Sequence, residues 1–310
     1  MLAGITPRGI DFIKPSVSGN MLVIPGLYLP PAKSAADDSG KPLVDLSDGT
    51  DISTPDTPNI PPNMSDSSDS QSTQSDLVEP NFTANLRIAN PNDTPREVSI
   101  YTVREGEAPT ILPGGEKVRL TPGSVLDLSL DGLKSGGYTL QLAADGEITA
   151  GVQISSGIAN AASDYAWIAA QNPITSGVAG FASGHGVLTV STFENSTAKT
   201  GANADVNTGT AGKTVTGTWT AFDKNGQKLD SAQIRLSPQR AQTQTPAAPA
   251  AAAASIALPE NTAFVHFSAD FPVYAGVEVS EQLGETRLID WIPLTAGISD
   301  AGEIAVNIKN

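Results

Sequence analysis

Cysteine is absent from this sequence, which excludes disulfides, thiolate zinc sites and cysteine nucleophiles together. Histidine is almost as scarce, with two in 310 residues, and aromatic residues make up only 5 %. A hydrolase triad needs a base beside its nucleophile. His185 lies in Gly184-His185-Gly186 at the entry to a strand, and His266 sits on the strand face opposite Val265 and Phe267. Both read as ordinary exposed histidines, so no catalytic residue is assigned and the chain is expected not to be an enzyme. Charge is sparse as well: 16 % of residues are charged, against about a quarter in a typical soluble domain. No apolar run approaches the roughly 18–20 residues that span a bilayer.

The charge that is present is acidic and uneven. The net charge is −15, and the stretch from Ser34 to Glu79 supplies −9 of it. An acidic chain repels phosphate backbones, so no nucleic-acid partner is expected, and contact with a membrane is expected only through an anchor. The opening Met1-Leu2-Ala3-Gly4-Ile5-Thr6-Pro7-Arg8 has no signal-peptide core. An extracytoplasmic location is nevertheless expected, with a signal or anchor lying upstream or already removed. Lack of cysteine does not argue for the cytoplasm, because surface proteins of Gram-positive cells commonly lack it.

Glycine (29) and proline (23) are plentiful, which suits short strands joined by turns. Apolar pieces at Ile10–Ile13 and Met21–Leu29 open the chain. Pro25-Gly26 divides the second, so residues 1–33 are expected to hold short strands that add to a neighbouring sheet. Residues 34–78 read as a disordered acidic linker of Ser, Asp and Pro that cannot bury enough surface to order itself. Asp45, Asp48 and Asp51 faintly suggest an oxygen-ligand calcium loop, but the closing glutamate is missing. No metal or cofactor is assigned.

The decisive feature is an internal repeat. Leu86–Ala89 with Asn90-Pro91-Asn92-Asp93-Thr94 matches Leu188–Ser191 with Thr192-Phe193-Glu194-Asn195-Ser196. Arg119-Leu120-Thr121-Pro122 recurs as Arg235-Leu236-Ser237-Pro238, and Ala150-Gly151-Val152-Gln153 as Ala275-Gly276-Val277-Glu278. Each copy then reaches a tryptophan followed by isoleucine, Trp167-Ile168 and Trp291-Ile292. Blocks in one order at domain spacing mean duplicated domains. Within them, Val98/Ile100, Leu126/Leu128 and Leu140/Leu142 alternate with polar residues, the period of a strand with one buried face. Turn signals fall between, including Ala-Asp-Gly-Glu at 144 and Lys224-Asn225-Gly226.

The fold class is therefore all-β: two tandem immunoglobulin-like sandwiches of six or seven strands each, over residues 79–175 and 176–310. The second carries insertions at 199–213 and 241–254, the latter a surface loop with a helical turn at 250–254. Trp167, Trp219 and Trp291 are expected to be structural, the first and last sharing one packing role.

An apolar strand into Asn-Pro-x-Asp-Thr, then Arg-Leu-Thr-Pro-Gly, Gly136-Gly137-Tyr138, Ala-Gly-Val-Gln and a Trp resembles an actinobacterial family, domain-of-unknown-function family 5719, over about residues 82–292. The resemblance implies secreted or membrane-anchored proteins with tandem β repeats, although an N-terminal hydrophobic anchor is missing here. It implies no activity, cofactor or catalytic residue. The function expected is a cell-envelope structural or interaction module that presents loops and sheet edges to a protein partner. The alternative is a module binding cell-wall glycan through exposed aromatics, with Tyr101, Tyr138, Phe264 and His266 as contact candidates.

Overall fold

Alternating apolar residues form sixteen strands in a computed structural model of the chain, which describes residues 16–31, 82–157, 164–181, 184–194, 213–240, 249–283 and 286–295. There is no helix among the described residues. The strands divide into two eight-stranded sets, one per repeat. The acidic stretch with its aspartates, the 199–212 part of the first insertion and residues 241–248 lie outside the described residues.

Each set is organised by one long strand. In the first repeat this is β7 (Gly136–Ser156). Its first half lies between β3 (Arg96–Arg104) and β1 (Ser18–Leu29), its second half between β2 (Phe82–Ala89) and β8 (Asp164–Ala169). The expected turn at Ala144–Glu147 is thus a corner, where one strand passes from one layer to the other. Asp145 fixes it by accepting the backbone N–H of Glu97 at 3.0 Å. Short strands β4 (Thr110–Ile111) and β5 (Val118–Leu120) border β3, and β6 (Val125–Ser129) borders β2.

The second repeat reproduces this plan around β15 (Phe264–Leu283). The first half of β15 lies between β11 (Val215–Phe222) and β9 (Ile174–Gly180), its second half between β10 (His185–Glu194) and β16 (Thr286–Pro293). Asp270 holds the corner through the N–H of Thr216 at 2.8 Å, as Asp145 does in the first repeat. Strand β12 (Lys228–Leu236) borders β11, joined to it through the tight turn at Asp223–Gly226, where Gly226 takes φ +79°. Strands β14 (Ala250–Ala257) and β13 (Gln239–Arg240) extend the sheet beyond β10.

Two expectations are corrected. Residues 18–29 form one strand rather than two, because Gly26 at φ +85° absorbs a bulge between Pro25 and Leu27 and pairing resumes beyond it. The alanines at 250–254 form strand β14, not a helical turn. Alanine prefers helix, but eight consecutive pairings with β10 override that weak preference.

Each repeat has its own core cluster. Leu22, Ile24, Leu86, Ile100, Leu140 and Ile154 are buried in the first, and Leu188, Val190, Trp219, Val265, Phe267 and Val277 in the second.

Candidate functional site

The repeats touch through a sheet face of each, and the alternation along the strands says which residues meet. On β15, Val277 and Val279 point into their own core, so Gly276 and Glu278 point outward. On β16 the outward residues are Ile289 and Trp291, which belong to the first repeat's core cluster although they come from the second repeat. Trp291 is 1 % exposed. Its indole lies against two glycines: a Cβ on Gly26 or on Gly276 would come within 2.6 Å of Nε1. Only residues without a side chain allow that approach.

Around this ring the contact is polar. Glu278 is fully buried, and its Oε2 accepts the Tyr28 N–H at 3.0 Å. Burial pushes its carboxyl up to about 8, against the lowering effects of the Tyr28 N–H and of Arg287. Thr139 and Gln141 of β7 and Thr189 and Ser191 of β10 are buried as well. The hydroxyls of Thr139, Thr189 and Ser191 make no hydrogen bond to protein. Ile289 N–H reaches the Asp164 carboxylate at 2.9 Å, and Ser255 N–H reaches Glu105 at 3.2 Å. A small apolar cluster of Val103, Ala251 and Ala253, with Phe193 against it, completes the contact.

The same face exists in the first repeat, and among the described residues no strand covers it. Trp167 pairs with Gln153 as Trp291 pairs with Glu278, and Gly151 lies beside Arg87 as Gly276 lies beside Thr189. Arg87 in turn pairs with Asp127 as Thr189 pairs with Ser255. Trp167 is half-buried. A groove of about 380 Å³ runs over it, lined by Ser16, Arg87, Val125, Thr149, Gly151 and Trp167. Arg87 grips Asp127 with two hydrogen bonds, Nε to Oδ1 at 2.7 Å and Nη2 to Oδ2 at 2.8 Å, and its guanidinium stands 5.4 Å from the Trp167 ring centroid. Those bonds hold the Asp127 carboxyl below its usual range and raise Arg87. Val125 in that lining is 60 % exposed, and Tyr165, two residues before Trp167 on the same face of β8, is 42 % exposed.

The structure separates the residues singled out from the sequence. Tyr138 lies in the first core, and Tyr101 is buried on the outer side of β3. The exposure that glycan contact would need is therefore missing at both, because β3 and β7 are covered on two faces where alternation suggested one. Phe264 is half-buried and stacks on Phe222, centroids 4.9 Å apart. His266 is half-buried, with Nε2 3.2 Å from Ser176 Oγ; His185 is exposed at the start of β10. Trp219 lies in the second core. Trp167 and Trp291 hold equivalent positions but not one packing role, since only the second is covered. Arg87, Asp127, Val125, Gly151, Tyr165 and Glu278 were not singled out from the sequence. Gly151 and Gly276 stood in matching repeat blocks, and that match was the available signal. Among the described residues no group of His, Asp or Glu side chains converges to hold a metal ion, and no helix is long and apolar enough to cross a membrane.

These features define an all-β chain of two sheet assemblies that bury one Gly–Trp face between them and leave its counterpart open. The chain belongs to a family of unknown function, DUF5719, which matches residues 1–247. No curated protein matches it. Among solved structures it is similar to the crystal structure of Thermotoga maritima 1070, with 14 % identity and a TM-score of 0.29 over 49 % of this chain and 92 % of that one.

Proposed function

We propose that this chain is a non-catalytic interaction module of the cell envelope, acting outside the cytoplasm, whose Trp167 face docks a protein partner. The observation that carries this reading is the equivalence of the two faces. The position that Trp291 holds under a sheet is held by Trp167 under solvent, with Val125 and Tyr165 exposed beside it. A sheet face that accepts another sheet in one repeat has the shape to accept one in the other. Exposed apolar groups gathered on one face are a mark of interaction surfaces.

A half-exposed tryptophan beside a guanidinium also suits a sugar ring, which keeps the carbohydrate reading alive with Trp167 and Phe264 as its platforms. Two measurements separate the readings. A cell-wall glycan array should retain neither wild type nor variants; retention lost on Phe264→Ala or Trp167→Ala would overturn the protein reading. A photo-crosslinking amino acid at position 165, in cells, should give a discrete protein adduct that is absent with the crosslinker at exposed Glu116. Equal labelling from both positions would count against a docking face.

A further inference from the structure

Resting on that protein-partner reading, we infer that the partner is a second copy of this chain, and that its β9–β15–β11 face covers the Trp167 face. Copies would then stack head to tail by repeating between chains the contact that each chain makes within itself.

The register supplies the argument. Within the chain, the covering face is formed by β1, the first half of β7, and β3. There Val23 and Tyr101 flank Gln141 on either side. In the second repeat Val178 and Thr220 flank His266 in the same way. Val23, Tyr101, Gln141 and Val103 are buried, whereas Val178, Thr220, His266 and Phe222 are not. Among the described residues, the second repeat thus carries the covering type of face with no strand over it, and the first carries the covered type with no strand over it. Gly180 pairs with Phe264 where Pro25, the residue before Gly26, pairs with Thr139, so a glycine lies near this place on the outer side of both strands.

A second observation is independent of the register. The large hydrophobic residues left exposed among the described residues are Val125, Tyr165, Val178 and Leu229. The first two stand on the Trp167 face. Val178 stands on the outer side of β9, and Leu229 belongs to β12 of the same layer. Exposed apolar surface is therefore concentrated where the repeat leaves faces unpaired, and not spread over the molecule.

Two different faces that complement each other make a heterologous contact, which leaves a free face at each end of a stack, so that a dimer can still add copies. The contact between chains is weaker than the one within the chain. It must bury the Arg87–Asp127 pair, where the internal contact buries Thr189 and Ser255, and burying ions costs desolvation even when they are paired. Stacking is therefore reversible and depends on concentration.

The test is sedimentation of the full chain over a wide concentration range. Wild type should rise steadily past twice its 31.8 kDa mass without a plateau at the dimer. Tyr165→Arg blocks one face and Val178→Arg the other; both sites are exposed, and an unchanged spectrum and melting temperature will show that each variant folds. Either variant alone should stay monomeric, and an equimolar mixture should give a 1:1 dimer and nothing larger. A monomeric wild type at all concentrations, or a dimer formed by either variant alone, would overturn the inference. A crosslinker at position 165 of the purified chain should map to β9, β11 or β15 of another copy. Should it trap only a different protein in cells, self-stacking fails while the interaction-module reading stands.

Discussion

Trp167 and Trp291 are the same residue in the repeat, yet removing them should cost different amounts. A tryptophan side chain buries about 200 Å² when fully covered, worth about 5 kcal/mol at about 25 cal/mol per Å². Trp291 is covered to that extent, and it is held between the backbones of Gly26 and Gly276, which cannot collapse into the space it leaves. Trp291→Ala should therefore cost about 3–5 kcal/mol, the usual loss for a large aromatic cavity. Trp167 is half-buried under an open groove. Its removal forfeits about 2 kcal/mol at most and leaves no sealed cavity.

At about 2–4 °C per kcal/mol for domains of this size, scanning calorimetry should show a drop of about 10 °C for Trp291→Ala and less than half that for Trp167→Ala. The larger effect should also cross the repeat boundary. Trp291 is supplied by β16 but packs in the first repeat's core, so peptide-resolved hydrogen exchange should show β1 losing protection along with β15 and β16. Equal decreases for the two variants would refute the argument that one face is covered and the other open. So would a change in exchange confined to the second repeat.

Three further outcomes follow from the buried contact. Glu278 keeps its proton in the fold up to about pH 8, whereas the unfolded chain releases it near 4.5; the fold then binds the extra proton, so stability falls as pH rises through that window and levels off above it. The slope is at most about 1.4 kcal/mol per pH unit, and melting curves of Glu278→Gln should lack this component. Thr139→Val with Thr189→Val removes two buried hydroxyls without protein partners, and should be neutral or raise stability; a loss beyond about 1 kcal/mol in urea titration would show that they are satisfied. Gly137→Ala drives a methyl into the Ser255 side chain and should cost about 1–3 kcal/mol, with Ser255→Gly restoring most of it in a double-mutant cycle.

Much of the fold was legible because local pattern and tertiary structure agree. Leu140 and Leu142, or Val98 and Ile100, alternate and do line a core. The matched blocks around Gly151 and Gly276 fall at the same register against Trp167 and Trp291. What alternation cannot show is whether the second face of a strand meets water. Thr139 and Gln141 look like solvent positions and are buried, because the cover comes from β10 and β14, far away in sequence. Tyr101 misled for the same reason. The polyalanine stretch misled through propensity, since the pairing partner that decides its conformation is β10, about sixty residues earlier.

The open and covered faces do nonetheless differ in sequence, once the repeat is aligned and its mismatches are read instead of its matches. Thr189 and Ser255 occupy the covered face, and Arg87 and Asp127 occupy the same two places on the open one. Ala253 is covered where Val125 is exposed, and Glu278 is covered where Gln153 is not. Covering Arg87 and Asp127 permanently would desolvate two ions, and their attraction repays that only with near-ideal geometry. In water their bidentate pair costs little and keeps the groove soluble. Small hydroxyl and methyl side chains, by contrast, let a second sheet approach closely. Glu278 is the exception that fits: it enters the contact as a neutral acid, its carboxyl raised by the same burial that would have penalised its charge. Matching positions in a duplicated chain reveal the shared scaffold, and positions where charge is exchanged for hydroxyl reveal which copy of a face stays uncovered within the chain.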